Sequence, residues 1–350
     1  MESFLRVGVF LLVLCFTLVP LLVNSSFSSV FLSVTEADAS HECRFWAMVA
    51  DSFSENVVLD HLINDPFSLK NLGALNVDGW GLAYYNFSQV IVRRGEPSAY
   101  ADPNFDSAAL ELATSGAQIG VGHVRAASSG ASGIPDPHPF IRQKDGKWWA
   151  FGHNGGLNKD TLRNLIGQDY LAQNPPTVGD NWTDPDVIDS DLYMLYLLKS
   201  TEESNWNVTL GVAKAVTDLS AVDSGAMNFF LTDGETLWGF RRGLTLYYYY
   251  NATNPQYSAI ASQPPTSNQD GWVALSDYNL ITLTAGKPPV VIEDIKTVPE
   301  FPQATIITFF LLTTLLAALA YRKSAHATGK NKHALENHGF YIHICSIFGS

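Results

Sequence analysis

Cysteine is scarce in this chain, with three residues in 350. That is too few for the disulfide framework that staples small secreted domains. Basic residues are outnumbered, 21 Lys and Arg against 34 Asp and Glu, for a formal net charge of −13. A nucleic-acid binder normally carries a basic patch, and attachment to anionic lipid by charge alone is excluded on the same ground. Internal repeats are absent, and no glycine-rich phosphate loop supports nucleotide binding. No Cys/His spacing fits zinc, since Cys43 has no cysteine neighbour and His123, His138 and His153 are scattered. No metal or organic cofactor is expected. What is present is a 46% hydrophobic composition, enough for a packed core in one large or two small domains.

Much of that hydrophobicity lies at the two ends. Residues 7–23 are continuously apolar after Arg6, the plan of a secretory signal, and Ala37-Asp38-Ala39 fits a small-x-small cleavage site. An uncleaved N-terminal anchor is the alternative. Residues 304–321 form a second apolar run, near the lower limit for a membrane-spanning helix. Arg322, Lys323, Lys330 and Lys332 follow, which places the 322–350 tail in the cytoplasm and the bulk of the chain outside the cell. A buried core helix is the competing reading, against which the missing polar face counts. Asn-x-Ser/Thr triplets at Asn86, Asn181, Asn207 and Asn251 are expected glycosylation sites if the chain is exported.

Between the ends, residues 43–295 read as a single domain. Strand signals rich in β-branched and aromatic residues fall at 43–50, 79–85, 90–94, 117–125 and 147–154. A second set falls at 227–233, 236–242, 244–250, 257–262 and 279–285. Helical patterns at 160–166, 189–199 and 208–219 lie between the two sets. Strands, then helices, then strands predict a layered α+β domain rather than alternating βαβ units.

Four short motifs carry candidate chemistry. Cys43-Arg44-Phe45-Trp46 opens the first strand. The run from Gly122 to Gly130 ends another strand in a polar loop. His138-Pro139-Phe140 precedes a strand that ends in Gly152-His153-Asn154-Gly155-Gly156-Leu157, and Asp189-Ser190-Asp191 opens a helix. In this order they resemble the class II glutamine amidotransferase domain, an N-terminal-nucleophile (Ntn) hydrolase. The likeness is to the stand-alone branch that begins Cys-Arg-Phe and carries Asp-Gly-Trp-Gly, here Asp78–Gly81. The residues Pro299-Glu300-Phe301-Pro302 before the second apolar run similarly resemble the PEF-CTERM sorting signal of archaeal surface proteins. The tail here is longer than that pattern, so whether the span is removed or kept stays open.

The amidotransferase resemblance implies a four-layer αββα sandwich of two antiparallel sheets over residues 43–295. It implies Cys43 as nucleophile, with the Asn154 side chain and the Gly155 N–H as donors to the oxyanion. It implies Arg125 on the substrate carboxylate, Ser128 in the pocket and Asp189 on the substrate ammonium. Each has a plainer reading: a two-residue hairpin turn for Asn154-Gly155, a helix N-cap for Asp189, a solvated strand end for Arg125 and a buried inert thiol for Cys43. The three histidines read as structural hydrogen-bonders. Ala126 and Ser129 replace an aromatic and a histidine frequent in the family, so the substrate is expected to be glutamine or another γ-glutamyl or amide compound. An ammonia-accepting partner stays open.

The implied base is the free α-amine of the cysteine itself, with a pKa of about 7.7–8.0. An upstream peptide bond would turn that amine into a non-basic amide. Forty-two residues precede Cys43, and cleavage after Ala39 would leave Ser40-His41-Glu42 attached. A second cleavage at Glu42–Cys43 is therefore expected. Two other readings are hydrolysis of other amides by the same thiol, and a non-catalytic surface-binding module on the same fold.

Overall fold

The computed structural model describes residues 42–86, 89–127, 138–298, 312, 314 and 315. The signal segment apart from Glu42, Ser128, and nearly all of the 304–321 run lie outside these residues, as do Pro299 to Pro302. Among the described residues no helix is long and apolar enough to cross a membrane.

The chain builds two antiparallel sheets. The first runs in the order β11-β9-β10-β1-β4-β2-β3. Its strands are β1 (Arg44–Ala50), β2 (Trp80–Asn86), β3 (Gln89–Gly95), β4 (Ile119–Val124), β9 (Tyr247–Asn251), β10 (Tyr257–Ala261) and β11 (Val273–Ala274). The second runs β13-β12-β8-β7-β6-β5. It contains β5 (Phe140–Lys144), β6 (Lys147–Gly155), β7 (Met227–Thr232), β8 (Thr236–Phe240), β12 (Leu280–Thr284) and β13 (Val290–Ile292).

Three apolar clusters divide the interior into layers. Phe45, Ala47, Val49 and Val121 of the first sheet meet Phe230, Leu237, Ile281 and Leu283 of the second. Period-2 alternation sends the other face of β1, with Trp46 and Met48, outward. There it is covered by α1 (Glu55–Leu59), α2 (Leu69–Leu72) and α3 (Pro103–Thr114). The outer face of the second sheet is covered by α4 (Lys159–Ile166), α5 (Gln168–Gln173), α6 (Asp189–Glu203) and α7 (Val208–Val222). The α+β expectation and the two facing antiparallel sheets are thus present as helix, sheet, sheet, helix.

The expected grouping of helices into one central block needs correction, because α1, α2 and α3 interleave with the first four strands. The longest of these, α3, has a start signal that composition alone obscured. The Asp102 side chain accepts the Asn104 N–H, and Pro103 occupies the first turn. The strand expected at 244–250 begins only at Tyr247. Residues Leu244 and Thr245 are instead tied to Asn228, whose Nδ2 donates to both carbonyls at 3.0 and 3.1 Å.

Gly152 of β6 stands directly opposite Phe230 of β7. A methyl at Gly152 would overlap the Phe230 ring, which also packs edge-on against Phe45 across the two sheets at 5.4 Å. Glycine here makes room for a fully buried aromatic ring in the sheet interface. Phe230→Ala is expected to lower unfolding free energy by about 3–5 kcal/mol, read from denaturant midpoints. Gly152→Ala should destabilise through overlap, and the double variant should lose less than the sum of the two.

Candidate active site

The site forms where the start of β1, the end of β4 and the end of β6 meet. Antiparallel pairing sets Arg44 opposite Val124, which brings Cys43, one residue earlier, level with Arg125. Cys43 is unpaired and half-buried, and its Sγ lies 3.5 Å from the Ala126 carbonyl oxygen. The start of β1 is held from the far side by Ser262. Its Oγ accepts the Phe45 N–H at 3.1 Å, and its N–H donates to the Phe45 carbonyl.

The loop after β4 is clamped by the Asp-Gly-Trp-Gly segment. The Arg125 N–H donates to the Gly79 carbonyl and the Asp78 N–H to the Arg125 carbonyl. The Asp78 carboxylate accepts the Ala127 N–H at 2.7 Å. This segment therefore shapes the strand beside Cys43, as its position in the sequence implied. Arg125 itself is buried at 3% exposure and is not a solvated strand end.

The two sheets are bridged at this end by histidines. His123 Nε2 donates to the His153 carbonyl at 3.2 Å. His153 Nε2 donates to the Ala226 carbonyl, so its Nδ1 accepts from the Ser190 hydroxyl at 3.0 Å. His123 and His153 are thus hydrogen-bonders, as expected. His138 is not: neither of its ring nitrogens has a hydrogen-bond partner among the described residues. It stacks on His123 at 4.2 Å and meets Phe140 edge-on at 4.9 Å.

Asn154 and Gly155 do not form a hairpin turn. Both lie within β6, paired with Asn228 and Met227 of β7. A side chain at Gly155 would run into the Ala226 carbonyl, so the close approach of β7 requires glycine there. Asn154 is 1% exposed, and its Nδ2 has no hydrogen-bond partner among the described residues. A buried donor left unmade costs about 1–3 kcal/mol.

Asp189 is the first residue of α6, with Ile188 at the cap position, so the N-cap reading is corrected. Its Oδ2 accepts the Leu157 N–H at 2.8 Å and lies 3.8 Å from His153 Nδ1. It thereby fastens the end of β6 to the helix. Asp191, two residues on, faces elsewhere and pairs with Arg142 at 2.7 Å.

Burial pushes the Cys43 thiol up to about 11, and Asp189 adds to the rise. The Ala126 backbone, Arg125 and Arg44 pull the other way without cancelling it. At pH 7 such a thiol is ionised in only about one molecule in ten thousand. Cys43, Arg125 and Asp189 therefore share one electrostatic environment, with Asn154 and Gly155 on the strand that the histidine bridge and Asp189 hold beside it.

Several residues with roles here gave no sequence signal. Asn228 and Ser262 act across strand pairs that no local motif marks, and Ser190, although inside the Asp189-Ser190-Asp191 motif, carried no sign that its hydroxyl reaches His153. Upstream of the cysteine, the Glu42 carbonyl accepts from Asn76 Nδ2 at 2.5 Å and from Arg44 Nη1 at 3.0 Å.

Two facing antiparallel sheets with helices on both outer faces, and strand ends converging on one buried polar cluster, define the Ntn-hydrolase class of fold. Residues 56–258, more than half of the chain, match the profile of class-II glutamine amidotransferases. The chain belongs to that family. The matched segment starts after Cys43.

A candidate glutamine amidotransferase of Haemophilus influenzae is 24% identical over 252 residues, covering 62% of this chain and 79% of that protein. An uncharacterised protein of Methanocaldococcus jannaschii is 27% identical over 192 residues, covering 54% of this chain and 48% of its own length. Glutamine phosphoribosylpyrophosphate amidotransferase of B. subtilis superposes with a TM-score of 0.50 at 13% identity, over 71% of this chain and 49% of that one. At that identity the likeness is one of fold.

The buried histidines give the site an acid-sensitive core. Burial lowers His123 to about 3 and holds His138 and His153 below the ordinary histidine range of about 6.5. The unfolded chain takes up protons as pH falls below about 6.5, while the folded chain refuses them until lower pH. Stability is therefore complete above pH 6.5 and is lost as pH falls toward 3. His138→Phe should flatten this slope in thermal melts recorded from pH 7 to 4. It should also keep or raise the midpoint at pH 7, because it removes two buried nitrogens without partners.

Proposed function

We propose that the chain is an amide hydrolase of the glutamine amidotransferase type that uses Cys43 as its nucleophile. The observation that carries this reading is the convergence of a half-buried thiol with Arg125 and Asp189, next to a strand presenting the buried, unpartnered Asn154 amide. Arg125 would grip the substrate carboxylate through its planar fork, and Asp189 would pair with its ammonium group. Ser128, outside the described residues, is assigned to the pocket by its place in the motif.

In the reaction, the sulfur gives up its proton to the α-amine of Cys43 and adds to the side-chain amide carbon of the substrate. The C=O electrons move onto oxygen, where the Asn154 Nδ2–H and the Gly155 N–H donate. Collapse expels the nitrogen, which leaves as ammonia with the returned proton, and a thioester remains. Water then attacks the thioester and restores the thiol.

A thiol held near 11 needs this base close by, and the base exists only once the Glu42–Cys43 bond is cut. We place the cut within this same cluster. The Cys43 sulfur would add to the Glu42 carbonyl carbon, and its proton would pass to the Cys43 nitrogen as the C–N bond breaks to free the amine. Water would hydrolyse the resulting thioester, releasing the upstream segment as a carboxylate and restoring the thiol. Asn76 and Arg44, already on the Glu42 oxygen, would receive the negative charge. The apolar segments support an exported domain held at the cell membrane by residues 304–321, acting on a small extracellular amide.

The purified protein, processed to begin at Cys43, should release ammonia from glutamine or a γ-glutamyl compound, and Cys43→Ala should abolish release. Asn154→Ala should lower kcat by about 10²–10³-fold with a smaller change in KM. Inactivity of correctly processed protein on every amide tried would instead favour the binding-module reading. Intact-mass analysis should find Cys43 as the first residue of active protein. Asn76→Ala should retain upstream residues, and turnover by protein still carrying them would overturn the mechanism.

A further inference from the structure

A separate pocket of about 300 Å³ opens on the helix-covered side of the first sheet and shares no residue with the cluster around Cys43. Its walls are aromatic. Tyr249 stacks on Tyr257 with centroids 5.4 Å apart, and Trp272 leans on Tyr249 at the same distance. Around these rings stand three carboxylates, Asp60, Asp65 and Asp270. No lysine or arginine lines the pocket, and none of the three acids has an ion-pair partner among the described residues. Among the described residues the Asp60 carboxylate accepts only from the neutral Asn64 amide at 3.1 Å.

Another acid-lined pocket with stacked tryptophans, beside Trp149 and Trp238, differs in this respect, because Lys147 pairs with Asp233 and Glu235 there. Nor do the acids near Tyr249 converge on a point, since among the described residues no group of three His, Cys, Asp or Glu side chains is placed to hold a metal ion. The charge is spread around a space that a bare ion would not fill.

His61 supplies an independent sign of a ligand. It lines the pocket while being only 6% exposed. Its Nδ1 accepts the Trp46 indole N–H at 3.1 Å, and burial lowers the ring to about 4, so it is neutral with its proton on Nε2. That Nε2–H has no hydrogen-bond partner among the described residues. His61 and Asp60 sit on a short π-helical turn, Asp60–Asn64, an irregularity frequent at functional sites.

We propose that this pocket binds a small organic ammonium cation that also carries an oxygen acceptor. The ring faces and the three carboxylates would hold the cation, and His61 Nε2–H would donate to the oxygen. A neutral sugar would use the rings but leave three carboxylates uncompensated, so the cation is the better match.

The test is calorimetric titration of the full-length protein with choline and with its neutral isostere 3,3-dimethyl-1-butanol. Choline should bind saturably, and the isostere should bind at least about tenfold more weakly. Choline should also change the tryptophan fluorescence. Trp272→Ala should remove that response, and Asp270→Asn, an exposed position with little bearing on folding, should weaken binding several-fold while the melting midpoint is retained. Cys43→Ala should bind choline normally, which separates this site from the proposed hydrolase. Equal binding of the two compounds, absence of saturable choline binding, insensitivity to both substitutions, or binding of methyl glucoside in place of choline would overturn the proposal.

Discussion

One buried hydrogen bond, from His123 Nε2 to the His153 carbonyl at 3.2 Å, joins the two sheets where the polar cluster forms. Away from it the Tyr85 hydroxyl bridges the sheets again, meeting the Trp148 and Thr232 carbonyls at 2.9 and 3.2 Å, and the rest is side-chain packing, which tolerates small sliding. A directional bond in a low-dielectric interior does not. It sets the height of β6 against β4, and β4 in turn fixes the level of Cys43 through strand register. The position of Asn154 relative to the thiol is thus set by a contact that neither residue makes. His153 extends the same network to Ser190 and Ala226, so the first turn of α6, with Asp189, is placed by it too.

The electrostatics of the cluster have a common cause in burial. Removal from water raises the thiol and lowers the histidines, because in each case it disfavours the charged form. The result is a cluster in which Arg125, Arg44 and Asp189 are the formal charges acting on the thiol and the histidines stay neutral spacers. Both ring nitrogens of His153 are occupied and His123 Nε2 is spent on a carbonyl, while burial disfavours a proton on any of the three rings.

Much of the architecture was legible in the sequence. Ten strands carried β-branched and aromatic runs bounded by Gly, Pro, Asn or Asp, and each of the three expected helices lies within a few residues of its pattern. Elements that were missed are short or half-exposed. Strand β5, FIRQK, mixes charged and apolar residues at a sheet edge, and α1 and α2 are too short to show a period. The site was legible only where residues share a local motif, as with Cys43-Arg44-Phe45 or His153-Asn154-Gly155. Partners brought in by pairing across 34 to 217 positions of chain, such as Asn76 on Glu42 and Ser262 on Phe45, leave no local trace. The N-cap reading of Asp189 failed for a related reason. Its carboxylate serves Leu157, thirty-two positions away, rather than its own helix.

Each sheet ends on one side in a stub, β11 with two residues and β13 with three. At the opposite side of the first sheet, β3 carries Arg93, ion-paired to Glu111 of α3, and Arg94 beside it. A strand from another molecule would find too few free N–H and C=O groups at the stubs, and would have to bury a guanidinium at β3. Sandwiches with long, flat, apolar margins recruit one another into fibrils. Three of its four margins are blunted in this way, and the fourth, β5, carries Arg142 and Lys144, so crowded copies meet charge rather than a long apolar edge.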